Sequence, residues 1–560
     1  MDRREFLTAR KKPQQVLKAK QFSGARTATG LTPYSGSWTE NEVIHLLKRT
    51  MFGAKFSDVS YFTGKTMSEA VDELLNPTAP LPAPPVKEYD GVTGAITPDN
   101  DVAAGATWIN SVSTDGAIQS RRRGSLKKWW IGCQLNQDRS IREKMLLFWH
   151  NHFATETNDI GNGNLSYNHV NLLRTNALGN FKSLVRSITI DSAILYYLNG
   201  RYNTSTAPDE NYARELQELF TIGKENNPNY NEDDVKAAAR ALTGWRVYNN
   251  LLPYPSYFTS SRHDANRKDF STFYNSAFIT GRTGATAGDL ELDDLLNIIF
   301  AKNVIVSRFI AKKLYRFFVY SEIDATAEIN VIEPLAFVLR SNNWEIKPAL
   351  SALLKSEHFY DAINMGAQIK SPLDHTIAVC REWNIVFPNN GSEYLDAYRM
   401  WNYIQATAAN ANQNLGDPPN VAGWPAYYQT PQFYELWVNT DTLPKRNQFT
   451  DIMIGNGYTN NGKKIWIDAV EFTKTLPNAG DPNYLITDVL KVIFQIELSQ
   501  ASRDQLKKDF LLSGQDQDYY WTNAWNAYLF NPITANFNIV NPRLRGLFKY
   551  FMNLAEYQLA

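Results

Sequence analysis

Apolar residues recur at helical spacing almost without interruption from Trp38 to Leu559, and the two-residue alternation of a half-buried strand is rare. That periodicity restricts the chain to a mainly α fold, read here as one large multi-helical globular domain over residues 36–558 with long loops. Glu40 to Met51 reads ENEVIHLLKRTM with Thr39 as its N-cap. Further helices are predicted over Ser125–Leu135, Asn168–Ala177, Phe181–Ile190, Val304–Tyr320, Pro372–Trp383, Ser392–Thr407 and Pro542–Leu559. Ser140–Phe153 is predicted to open on a capping box of Ser140 and Glu143, and Asn211–Ile222 to close at Gly223. Glu232–Trp245 reads as another helix. Two stretches break the pattern. Residues 76–105, with Pro77, Pro80, Pro82, Pro84 and Pro85, form an irregular excursion. Residues 246–285, rich in Tyr, Phe, Ser, Asn and Gly, form an irregular or β-hairpin flap carrying His263 and Asp264.

Charge narrows the function classes. The 57 Lys and Arg balance 57 Asp and Glu, which argues against a generally basic nucleic-acid binder, and no nucleic-acid partner is expected. No apolar run approaches the roughly 18 residues of a membrane-spanning helix, and two cysteines, Cys133 and Cys380, make no disulfide framework. Residues 1–35 read as a basic flexible arm that opens Arg3-Arg4-Glu5-Phe6-Leu7, a twin-arginine-like motif. The stretch that follows, TARKKPQQVLKAKQ, is polar where an export signal is apolar. On that ground the chain reads as cytoplasmic, with the opening motif pointing instead to the periplasm or envelope.

Chemistry-bearing residues gather in a few places. His150 and His152 sit in FWHNHF near a helix end, in a chain with seven histidines. On a straight helix, residues two apart point about 200° apart, so they share a ligand only if the helix ends there; otherwise one is a core histidine and the other faces solvent. Glu215 and Glu218 in NYARELQELF fall on one helical face, as a carboxylate pair or as a solvated acidic face. His263 and Asp264, with Lys268 downstream, offer a base and its orienter or metal ligands. Proline and glycine fix Trp424 within GDPPNVAGWP, as a structural clasp or a cleft wall. Arg121-Arg122-Arg123, with Lys127, Lys128, Trp129 and Trp130, is a basic aromatic patch, read as a solvated helix start over buried tryptophans, with phosphate or nucleic-acid contact as the alternative.

The run REKMLLFWHNHFATE, then NYARELQELFTIG, NEDDVKAAARALTGW, HDANRKDF, SRFIAKKLYRFFV, WEIKPALSALLKSEHFYD, IKSPLD and PPNVAGWP, in this order, resembles the bacterial family called domain of unknown function 1800. HLLKRTMFG matches its opening, and the likeness covers most of residues 38–440, leaving 441–558 as a helical extension. The resemblance implies a mainly helical protein of unassigned biochemistry. It also implies a neighbour, an exported sulfatase-like protein of the domain of unknown function 1501 family, and relatives that begin with a twin-arginine motif. Phe220 stands where relatives often carry His.

The family motifs fall on His150, His152, Glu215, Glu218, His263 and Asp264, which are therefore expected to meet in a single polar hollow. Arg214, Asn211, Lys268, Trp245 and Trp424 are expected to support it structurally or by binding. The reading favoured is a binding or assembly protein with an export-linked or envelope partner. The alternative is a metal-dependent hydrolase, with His150, His152, His263 and Asp264 holding a divalent ion and Glu215 or Glu218 acting as general base.

Overall fold

The structure is a computed structural model, and it describes residues 30–89, 98–224, 229–494 and 498–560. The twin-arginine-like motif lies outside the described residues. Of the structure, 56% is helix and 5% strand, so the chain is mainly α.

Helix α1, Glu40–Thr50, begins where its sequence says it should: Thr39 and Glu42 form a full capping box. Helix α2, Gly116–Leu135, begins well before the predicted Ser125. Asp115 is its N-cap, accepting from the Ala117 and Ile118 amides at 2.8 and 2.9 Å. The arginine run therefore lies inside the helix rather than at a solvated start. Arg122 is buried, and its fork meets Asp99 at 3.0 and 3.1 Å. Helix α3, Arg142–His152, is buried along its whole length and has no side-chain cap. The predicted box is absent because Glu143 turns inward to Arg174 on helix α4, Gly163–Thr175.

Helix α5, Asn211–Glu215, does not continue as an α-helix to Ile222; it widens into a π-helical turn over Leu216–Thr221. Helix α6 is Glu232–Ala241. It stops short of Trp245 because Gly244, at φ +94°, turns the chain into a strand. Strand β1, Trp245–Val247, pairs antiparallel with β2, Ser256–Phe258, and β3, Lys268–Asp269, with β4, Phe278–Ile279. The flap is thus two short hairpins laid against helix α7, Ala287–Phe300. Helices α8, Asn303–Phe318, α9, Pro372–Glu382, and α10, Tyr394–Asn410, follow. Helix α10 lies along α2 so closely that a Cβ on Gly132 would stand 2.7 Å from the Trp401 ring.

Helix α11, Thr442–Ile454, the hairpin of β5, Tyr458–Asn460, and β6, Lys463–Ile465, and helix α12, Tyr519–Phe530, carry no signal that the periodicity alone picked out. Helix α13 spans Thr534–Met552 with Pro542 inside it, whereas the sequence put its start at that proline. One continuous cluster of buried apolar side chains runs from Val43 through Trp149 and Ile310 to Tyr557. Among the described residues, no helix is long and apolar enough to cross a membrane.

Candidate functional site

The last turn of α3 sends its three polar residues in three directions, as the helical period requires. His150 is enclosed between the rings of Trp130 and Trp424, with centroids at 5.0 and 5.6 Å. Neither of its ring nitrogens has a hydrogen-bond partner among the described residues. Burial pushes its pKa down to about 3, so it is a neutral core histidine. His152 leaves the opposite side into a cage of Phe148, Phe181, Phe220 and Phe309, and its Nε2 lies 3.1 Å from the Phe220 carbonyl oxygen. That oxygen can only accept, so Nε2 carries the proton. Burial holds this imidazole well below its ordinary pKa.

Between them, Asn151 makes the longest reach. Its Oδ1 accepts the Trp424 amide at 2.9 Å. Gly423 sits at φ +89°, and a Cβ there would come within 2.3 Å of the same oxygen. The GDPPNVAGWP turn is thereby seated on the helix end, and Trp424 is buried. Asp417 holds the other end of the turn, bonding the Thr157 amide and hydroxyl at 2.8 and 2.7 Å and pairing with Lys127. Asn151→Ala leaves the buried Trp424 amide without an acceptor and should cost about 1–3 kcal/mol. A urea melt of the variant that overlays wild type would refute the tie.

On the π-helical turn, Glu218 pairs with Lys224 and stands 3.8 Å from Arg214. Arg214 also meets Glu210 at 3.2 Å and Glu232 at 2.6 Å, while exposed Asn211 caps onto Asp209 through its own amide at 2.9 Å. Glu215 is half-buried and has no ion-pair or hydrogen-bond partner among the described residues. Burial first, and then Glu218, raise its carboxyl pKa, against the pull of Lys224 and Arg214.

The flap holds a separate polar cluster. His263 Nδ1 lies 2.9 Å from the Thr243 carbonyl oxygen, and its Nε2 lies 3.1 Å from Glu291 Oε1 on α7. Lys268 donates to the Asp264 carbonyl and, at 2.5 Å, to Glu291 Oε2. The Asp264 carboxylate turns away, to Arg240 at 2.6 Å and the Asn266 amide at 2.8 Å. The His–Asp pair read from the sequence is therefore not a pair; the partner of His263 is Glu291. Trp245 opens β1 and packs on Phe258 with ring centroids 5.6 Å apart.

The expected single hollow is not formed. His152 touches the π-helical turn through one carbonyl, but His150 is walled off by tryptophans and His263 belongs to the α6–α7 cluster. Among the described residues, no group of three or more His, Cys, Asp or Glu is placed to hold a metal ion. The donor set His150, His152, His263 and Asp264 is dispersed among separate clusters and does not fit one. Sequence reading missed Glu291 and Asn151 and assigned Glu143 to a helix cap rather than to Arg174. Glu291 lies in LELDDLL, which looks like an ordinary acidic helix face; only its spacing against Leu292 and Leu295 hints that it turns inward.

The clusters carry a pH signature. For Asp417 and Glu291, burial opposes ionisation most strongly, but the cations and hydrogen bonds around each outweigh it, leaving both pKa values below their ordinary 3.8 and 4.5. A carboxylate held low in the folded state stabilises fully above its unfolded pKa and loses that contribution as pH falls through the folded one. Urea midpoints should therefore hold steady down to pH 4.5 and fall below it. Midpoints that rise on acidification would contradict these assignments.

A family model described as Protein of unknown function (DUF1800) matches residues 45–559, nearly the whole chain, and the chain belongs to that family. No curated protein and no solved structure matches it.

Proposed function

We propose that this member of the DUF1800 family is a binding or assembly protein rather than a catalyst. The observation that carries this reading is the fate of the chemistry-bearing residues. His150, His152, His263, Asp264, Glu218 and Arg214 are each engaged in caging rings or in ties between elements, the arrangement of a scaffold. The surface supports it further. At the α12–α13 turn, Phe530 is 93% exposed, with Leu529 and Ile533 exposed beside it, an apolar face of the kind that protein partners cover. The partner is a protein, in line with the resemblance the exported sulfatase-like neighbour. Co-expressing the two and measuring mass by light scattering should give a stoichiometric complex, lost in Phe530→Asp. Two separate monomeric peaks for the wild-type pair would end the proposal.

One observation favours a second reading, acid–base hydrolysis without a metal. Glu215 is a half-buried carboxylate with a raised pKa, at the start of a π-helical turn of the kind that recurs at functional sites. A hydrolytic activity lost in Glu215→Gln with folding intact would favour it.

A further inference from the structure

Away from these clusters, the end of α2, the end of α9, part of α10 and the segment after β6 border a cleft of about 980 Å³. Enclosed ligand sites run to roughly 300–1,000 Å³, so there is room for a molecule of several rings. The cleft forms where helices stop. Helix α2 ends at Asn136. Helix α9 ends at Trp383, and Asn384, at φ +52°, turns the chain into the loop 385–390. The short helix Ala469–Lys474 closes on the same wall, with Phe472 against Trp383 at a centroid distance of 4.6 Å.

Aromatic rings make up much of the lining. Trp383, Trp401 and Phe472 are buried, Phe387 is half-buried, and Trp466 is 40% exposed. The Trp466 ring is steadied by Lys464, whose ammonium lies 5.0 Å from its centroid. Amides stand among the rings: Asn136, Asn384, Asn389 and Asn390. Much of their bonding capacity is unused. Among the described residues, the Asn390 side chain makes no hydrogen bond, and Asn384 Oδ1 accepts none. Asn389 Oδ1 accepts the Gly391 and Ser392 amides at 2.8 and 3.1 Å, while its Nδ2 donors find no partner there. Asp468 caps its helix through Oδ1, at 3.2 Å to the Val470 amide and 3.0 Å to that of Glu471, which leaves Oδ2.

Charge and topology narrow the ligand. The lining includes two cations, Lys55 and Arg381, and two carboxylates, Asp468 and Glu471, so it has no net charge. Arg381 is tied to Asp58 at 3.3 Å, and Glu471 to Lys474 at 2.7 Å. A balanced lining gives a phosphate or another ion no electrostatic advantage. None of the lining residues belongs to a strand, so no sheet edge is there to receive an extended peptide. The remaining match is a neutral molecule, apolar on its flat faces and hydroxylated around its rim. A pyranose with equatorial hydroxyls has that form: its C–H faces stack on aromatic rings, and its hydroxyls both donate and accept, as side-chain amides do.

We infer that this cleft binds a neutral saccharide chain, with Trp466 as its stacking platform and Asn384, Asn390 and Asp468 bonding the hydroxyls. The site is separate from exposed Phe530, so this inference and the partner-binding reading can each fail alone.

The full chain should be titrated with cellotetraose, N-acetylchitotetraose, xylotetraose and maltotetraose, followed by tryptophan fluorescence and calorimetry. At least one should bind saturably and change the tryptophan emission. Trp466→Ala should weaken that binding about tenfold, the loss of a stacking partner. Asn390→Ala should weaken it about threefold or more, the loss of one hydrogen bond. Both positions are exposed, so both variants should fold, with thermal melts that overlay wild type. No saturable binding of any of the four at millimolar concentration would overturn the site. So would undiminished affinity in both variants, which would put the sugar elsewhere. A random peptide mixture that changes the emission in wild type but not in Trp466→Ala, with the saccharides inert, would make the cleft a peptide groove and end the proposal.

Discussion

Glu143→Ala should destabilise the chain by about 3–5 kcal/mol, the cost of breaking a buried pair and stranding its cation. A helix-cap role for the same residue would cost about 0.5–2 kcal/mol, so the size of the loss decides between the two. The structure commits to the larger value. Arg174 reaches Glu143 with both arms of its fork, Nε to Oε1 at 2.7 Å and Nη2 to Oε2 at 3.0 Å. Both side chains are buried, and the guanidinium lies over the Trp129 ring at 4.6 Å. Removing the carboxylate leaves a charge with no solvent to turn to. The matched apolar pair Glu143→Leu with Arg174→Met should recover most of the loss, because it strands nothing. Chemical denaturation of the three variants measures this. A single-variant loss near the capping value would return Glu143 to the helix start.

The second large effect is expected at Glu291. Its two oxygens serve Lys268, His263 and the Arg282 amide, the last at 2.8 Å, and both Glu291 and Lys268 side chains are 0% exposed. Glu291→Ala should again cost about 3–5 kcal/mol. It should also loosen the flap from α7, which proteolysis near residues 246–285 would detect as faster cleavage. Arg214→Ala, by contrast, removes half-exposed pairs worth about 0–1 kcal/mol together. If the two variants melt alike, the α6–α7 cluster is not the anchor described here.

These two residues also mark how far the sequence can be read. The start of helix α1 was legible to the residue because its signals are local: Thr39 and Glu42 are three apart and meet within the first turn. The mainly α class was legible for the same reason, from apolar spacing within single helices. Glu143 was misread because an identical local pattern, Ser140 followed by a glutamate, was outbid by an arginine on another helix. Asp264 was misread because adjacency in sequence suggested a partner for His263 that the flap supplies from α7 instead. The arginine run at 121–123 looked solvated until Asp99, from the irregular excursion, came to meet it. The π-helical turn at Leu216 left no trace, since the same apolar spacing serves an α-helix equally well. What failed was consistently long-range: which polar group turns inward depends on a neighbour that the spacing does not name.

The ties between distant stretches have a consequence for how the polypeptide is made. Lys48 on α1 bonds a carbonyl at Ile493, and Lys370 bonds one at Tyr557, while Ile369 bridges to Leu559. A ribosome delivers Lys48 445 residues before Ile493, and Lys370 187 residues before Tyr557. The nascent chain therefore carries those lysines and apolar helix faces without their final partners until the closing segment emerges.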